Sequence, residues 1–263
     1  MKFLVSLFVL SLAAPLAAQH QHRTTPLPPE PDVVEGLGDH RHPVSTKNPD
    51  AQRHFDLGMT YVFAFNHDEA IKAFRKAAHL DPTLAMAHWG EALALGPNIN
   101  LDVDREREKA AFEAVERASA LAKDAPEHER AYISALRKRY SIDPEADLKK
   151  LATDYKVAMG QLMERYPDDL DLATLYAESA MDLRPWQLWS ADGKPAEGTE
   201  EIISVLESVL KRDPDHVGAN HYYVHAVEAS PKPERAMASA QRLKTLVPAA
   251  GCLLYTSPSP RDS

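Results

Sequence analysis

Five prolines set the architecture of this chain. Pro82, Pro126, Pro167, Pro214 and Pro248 each follow a stretch whose apolar residues recur at helical spacing. Proline has no backbone N–H and its ring clashes with the preceding turn, so it is excluded from helix interiors. The intervals between these prolines are 44, 41, 47 and 34 residues. Each interval holds two helices and a turn but is too short for a domain with its own core, so neighbouring units must stack. Only 10 of the 263 residues are glycine, which argues against a hairpin-rich β fold. The expectation is an all-α protein, an α-solenoid of stacked antiparallel helix pairs. Helices are expected near 49–63, 67–80, 83–95, 104–123, 127–140, 144–165, 168–182, 198–212, 216–228 and 232–246. Asp81-Pro82 and Asp213-Pro214 serve as junction signals, and Pro82 is expected to end one helix and start the next.

The first unit carries a recognisable motif. Leu57-Gly58 is followed by Tyr61, Ala70, Phe74, Ala77 and Pro82, with His54 at the leading aromatic position. Small residues at Gly58 and Ala70 let two antiparallel helices cross closely, while Tyr61, Phe74 and Ala77 pack between the pair and its successor. This pattern resembles the tetratricopeptide repeat. Later units are degenerate: Ala114, Ala118 and Leu121 precede Pro126, Tyr155, Met159 and Leu162 precede Pro167, and Ile202, Leu206 and Val209 precede Pro214. The last unit keeps Ala236, Ala240 and Pro248. The segments AFNHDEAIKAF, AHWGEALALGPNIN, DLRPWQLW and ANHYYVHAVEASPKPERA are similar to exported bacterial tetratricopeptide proteins of unassigned function. That resemblance implies a longer array with further histidine-bearing segments, and no activity.

The ends differ from the middle. Residues 1–18 combine Lys2, an apolar run and small residues up to Ala18, the pattern of a secretory signal peptide, so the protein is expected to be exported, periplasmic or secreted. Residues 19–48 are rich in proline and histidine with no helical period and are expected to form an extended, solvated leader. The array is assigned to 49–251. Residues 252–263 resemble a translated sequencing adapter, which makes the array a truncated one and removes the single cysteine, Cys252, from any argument.

A net charge of −9 disfavours nucleic acid and anionic membrane surfaces as partners. No later stretch is long and apolar enough for a membrane span. No HExxH, GxSxG, Walker A, GxGxxG or CxxC motif occurs, so no catalytic residue is assigned and the chain is not expected to be an enzyme.

The most suggestive constellation is His221-x3-His225-x2-Glu228. Offsets of four and three place all three side chains on one helical face. In a tetratricopeptide stack the first helix of each unit lines the concave surface, and the same spacing projects onto Phe55, Met59, Trp89 and Glu178. The expected function is therefore a scaffold that binds a peptide or protein partner in a groove lined by Phe55, Met59, Trp89, Glu178, His221 and His225. The alternative is a metal-binding protein or metal-dependent enzyme. There His221, His225 and Glu228 hold a divalent transition metal, together with residues from the missing C-terminal part. Other chemistry-bearing residues have plainer expectations. His20-x-His22 and His40-x-His42 carry donors for a soft or borderline metal, but flexible pairs lack a fixed geometry, and a solvated polar leader is the favoured reading. Trp186 and Trp189, near Arg184, either cover the edge of the stack or contact a ligand. His67 and Asp68 cap a helix, and His88-Trp89 packs between helices.

Overall fold

The computed structural model describes residues 36–250. The segments expected to be a signal peptide, the first part of the leader and an adapter-like tail lie outside the described residues. Ten α-helices follow one another: α1 Pro49–Phe63, α2 His67–Leu80, α3 Ala85–Leu95, α4 Arg105–Leu121, α5 Glu127–Leu136, α6 Leu148–Arg165, α7 Leu170–Met181, α8 Thr199–Arg212, α9 Val217–Val227 and α10 Met237–Leu246. Among the described residues there are no strands, only two isolated bridges in loops. The fold is all-α and solenoid-like, with adjacent helices packed as pairs. No helix among the described residues is long and apolar enough to cross a membrane.

Local chemistry sets the helix starts. Pro49 occupies the first turn of α1, and the Asn48 side chain accepts hydrogen bonds from the backbone N–H groups of Asp50 and Ala51. Asp104, Asp147 and Asp169 cap α4, α6 and α7 in the same way. Pro82 does not open a helix, contrary to expectation: Pro82, Pro167 and Pro214 each sit in a turn three residues before the next helix begins. Asp81 and Asp213 build two of those turns, their carboxylates accepting from the N–H groups of Thr83 and Asp215. The last predicted helix is split for the same reason: Pro231 and Pro233 hold Pro233–Ala236 as a 3-10 turn before α10 begins.

Glycine permits the tightest crossings. A Cβ at Gly58 would lie 2.6 Å from the Phe74 ring, and one at Gly90 would lie 2.4 Å from it. The Phe74 ring is thus clasped between α1 and α3, as the motif anticipated for Gly58. A third approach closes the array: a Cβ at Gly218 on α9 would lie 2.5 Å from the ring of Phe63 on α1. Helices α1, α3, α5, α7 and α9 therefore form an inner row whose first and last members touch.

Candidate functional site

Residues 36–48 are not a free arm. They run extended along the inner row, with Leu37 and His42 buried. At one end the N–H of Ala249 donates to the carbonyl of Gly36 (3.0 Å). At the other, Asn48 donates to the carbonyl of Leu80 (3.0 Å).

Between these points the inner helices grip the main chain of the segment. The N–H of His42 donates to Asp56 on α1 (2.9 Å). The Gln52 side chain, also on α1, spans two residues: its amide donates to the His42 carbonyl (2.9 Å) and its oxygen accepts from the Val44 N–H (3.0 Å). Glu129 on α5 accepts from both the N–H (2.5 Å) and the hydroxyl (2.7 Å) of Ser45. Thr46 donates to Asp81 (2.6 Å). Bonds to N–H and C=O groups recognise an extended backbone whatever its side chains, and pockets then add selectivity.

The side-chain anchor is Asp171 on α7. His42 Nδ1 lies 2.6 Å from its Oδ2. His40 Nε2 and His216 Nε2 each lie 3.1 Å from its Oδ1, as ion-pair contacts rather than aligned hydrogen bonds. His216 caps α9 by accepting from the Ala219 N–H at Nδ1 (3.2 Å), which leaves its proton on Nε2, facing Asp171. Burial opposes ionisation of Asp171, but the charge on His40 and the surrounding imidazoles outweigh it and hold the carboxyl well below the usual range. Burial likewise lowers the pKa of His40 and His42, and Asp171 overrides it, so both end above their ordinary value. The His42 ring stacks on Trp89 (6.4 Å), lies tilted against Phe55 (5.7 Å) and meets Tyr132 edge-on (5.6 Å). An open cavity of about 950 Å³ adjoins this segment, lined by His40, His42, His128, Asp169, Asp171 and His216 among others.

The six residues expected to line an open groove are all buried. Phe55 and Trp89 contact the leader through His42. Met59 is wholly enclosed. Glu178 faces Asp182 and Arg139 in the interior, and burial followed by the charge of Asp182 raises its pKa well above the usual carboxylate range. His221 and His225 lie at the α1–α9 contact. They face inward because the array turns tightly enough for its concave side to fill.

The expected metal triad has a different internal order. His221 Nδ1 bonds the carbonyl of Phe63 (2.6 Å), and His225 Nδ1 bonds Glu228 Oε1 (2.8 Å). The two Nε2 atoms face each other at 3.1 Å. Glu228 therefore holds the other nitrogen of His225 and does not join the two Nε2 atoms. Burial, then the charge of His225, lowers the His221 pKa to about 3, against the bond to Phe63. Among the described residues no group of three or more His, Cys, Asp or Glu side chains is placed to hold a metal ion. His225 and Glu228 open onto a second cavity of about 840 Å³, shared with Trp186, Trp189 and Met181.

The two loop tryptophans divide their roles. Trp189 donates to the Ala226 carbonyl (2.8 Å) and closes the edge of the stack. Trp186 is 64% exposed, has a left-handed backbone (φ +59°) and meets His225 edge-on at 5.8 Å. His67 is not a cap. It is buried, with Nδ1 on the Ala94 carbonyl (2.9 Å) and Nε2 against Asn98 (3.2 Å), and Asn66 holds the cap position without a side-chain bond.

Gln52, Asp56, Glu129, Asp171 and His216 escaped the sequence reading. His42 and Asp171 are 129 positions apart, and no periodicity links a leader histidine to a carboxylate opening a distant helix. The usable signal was the coincidence of two His-x-His pairs in a leader otherwise poor in reasons to be ordered. No protein-family model matches the chain, and comparison with curated proteins finds no significant match.

Proposed function

We propose that this protein is an exported scaffold of the tetratricopeptide type that binds an extended peptide along its inner helices, with its own residues 37–47 as the resident occupant. One observation carries the reading: Gln52, Asp56 and Glu129 bond the backbone N–H and C=O groups of His42, Val44 and Ser45. Side chains on two inner helices spent on the main chain of a third segment are what peptide recognition requires. A peptide or protein partner would enter by replacing the leader, reading the same backbone bonds and the Asp171 anchor.

The test uses a labelled peptide of residues 40–46, His-Arg-His-Pro-Val-Ser-Thr, followed by fluorescence anisotropy. In the unmodified chain the tethered leader competes at an effective concentration of about millimolar, so uptake is weak. His40→Ala with His42→Ala loosens the leader and raises affinity for the added peptide. Adding Gln52→Ala to that variant removes the gain. If the loosened variant takes up no more peptide than the unmodified chain, the inner face is not a recognition surface.

A further inference from the structure

The contact between His221 and His225 carries an inference separate from peptide binding. Both Nδ1 atoms are committed: His221 to the Phe63 carbonyl (2.6 Å) and His225 to Glu228 (2.8 Å). A carbonyl and a carboxylate only accept, so each Nδ1 carries a proton. An imidazole protonated at Nδ1 alone keeps a lone pair on Nε2, and the two Nε2 atoms lie 3.1 Å apart. The two Nε2 atoms are the pair's remaining coordinating positions, and a metal cation can take both.

We propose that His221 and His225 form the protein half of a divalent transition-metal site, with the two Nε2 atoms as ligands and Glu228 holding His225 from behind. Three features support it. Metal-bound histidines characteristically donate their second N–H to a carboxylate or a backbone carbonyl, and here one does each. A metal at the usual ~2.0–2.1 Å from both nitrogens, with 3.1 Å between them, subtends about 95–100°, between octahedral and tetrahedral values. Spacing of four along α9 puts both rings on one face, and Phe65 packs against both (4.6 Å and 5.7 Å), fixing their orientation. A metal there takes the two Nε2 positions while the rings keep their Nδ1 bonds to Phe63 and Glu228. Imidazole nitrogens suit zinc, copper and nickel. His225 borders the 840 Å³ cavity, so the remaining coordination positions belong to water or to a ligand entering there.

The experiment uses the full chain with no affinity tag and with His20 and His22 changed to Gln throughout, so that the leader does not compete for copper. Cu(II) is titrated against tryptophan emission, because Trp186 lies edge-on to His225 and bound copper quenches it. One equivalent is expected to quench. His225→Gln and His221→Gln lose that step, Glu228→Ala weakens it about 10-fold, and His79→Gln, on the exposed face of α2, leaves it unchanged. Equal quenching in His221→Gln, His225→Gln and the parent overturns the site. Should either variant fail to fold by circular dichroism, electron paramagnetic resonance of the parent decides. Coupling to two imidazole nitrogens supports the site, and a copper spectrum without them overturns it.

Discussion

His42 Nδ1 lies 2.6 Å from Oδ2 of Asp171, and this bond joins the N-terminal leader to the fourth helix pair of the array. His40 and His216 approach the same carboxylate, so one buried anion gathers three imidazoles from two ends of the chain. The protonation of this group governs how firmly the leader is seated.

The first prediction concerns pH. A histidine whose pKa rises on folding adds stability that is complete below its unfolded value of 6.5 and is lost as pH climbs through the folded value. Asp171, depressed from 3.8, adds stability that is present above that value and is lost only as pH falls through its much lower folded pKa. The leader is therefore held most firmly between about pH 4 and 6.5 and loosens above. His42→Gln should cost about 1–3 kcal/mol at pH 5.5 and distinctly less at pH 8.5. Thermal melts at the two pH values measure the difference. An equal cost at both shows that the contact is packing alone.

The second prediction tests the helix crossing. Gly58→Ala and Gly90→Ala each drive a methyl group into the fully buried Phe74 ring, from opposite sides. Each should destabilise by about 1–3 kcal/mol. Phe74→Leu vacates part of the contested space, so Gly90→Ala in that background should cost clearly less than in the parent. Denaturant midpoints of the four chains supply the cycle, and strict additivity would mean that the crossing relaxes some other way.

Helix positions were legible because they follow from local chemistry. Proline and aspartate at junctions, glycine at Gly58 and the 3.6-residue period of residues such as Ile202, Leu206 and Val209 act within a few residues. The openness of the groove was not legible. Whether α9 stands clear of α1 or seats Gly218 against Phe63 depends on small rotations accumulated over four helix pairs, and no single motif encodes that sum. Phe55 lies on α1 and Trp89 on α3. Their burial followed from the leader, whose His42 covers them, and within residues 36–48 the His40-x-His42 pair was the one hint of a docked segment. The His221, His225 and Glu228 spacing located the three side chains, but which nitrogen each partner takes depends on the Phe63 carbonyl 158 residues away.

The third prediction separates packing from recognition. Trp89 is among the largest fully buried side chains, so Trp89→Ala should destabilise the fold by about 3–5 kcal/mol. It is therefore a poor probe of peptide binding. Gln52→Ala removes two backbone bonds to the leader at a partly buried position. It should leave the melting of the helices nearly unchanged while speeding hydrogen exchange at the amides of His42 and Val44. Unaltered exchange at those amides would show that Gln52 does not hold the segment.

The fourth prediction concerns acid. Burial lowers the pKa of His67 to about 4, with the nearby charges of Arg107 and Arg139 adding to it against the Ala94 hydrogen bond, and that of His221 falls to about 3. Both have an ordinary value of 6.5. A histidine whose pKa falls on folding works opposite to the leader pair. Between the folded and unfolded values the unfolded chain binds the extra proton, so stability declines as pH drops from 6.5 toward 4. His67→Gln keeps a group able to donate toward the Ala94 carbonyl yet cannot take up a proton. Its stability should therefore fall less steeply across that window than the parent's, even where its value at pH 7 is lower. Urea midpoints every half pH unit from 7 to 4 give the two slopes. Parallel curves would mean that His67 titrates normally in the folded chain, and with it would go the buried, neutral imidazole described between Ala94 and Asn98.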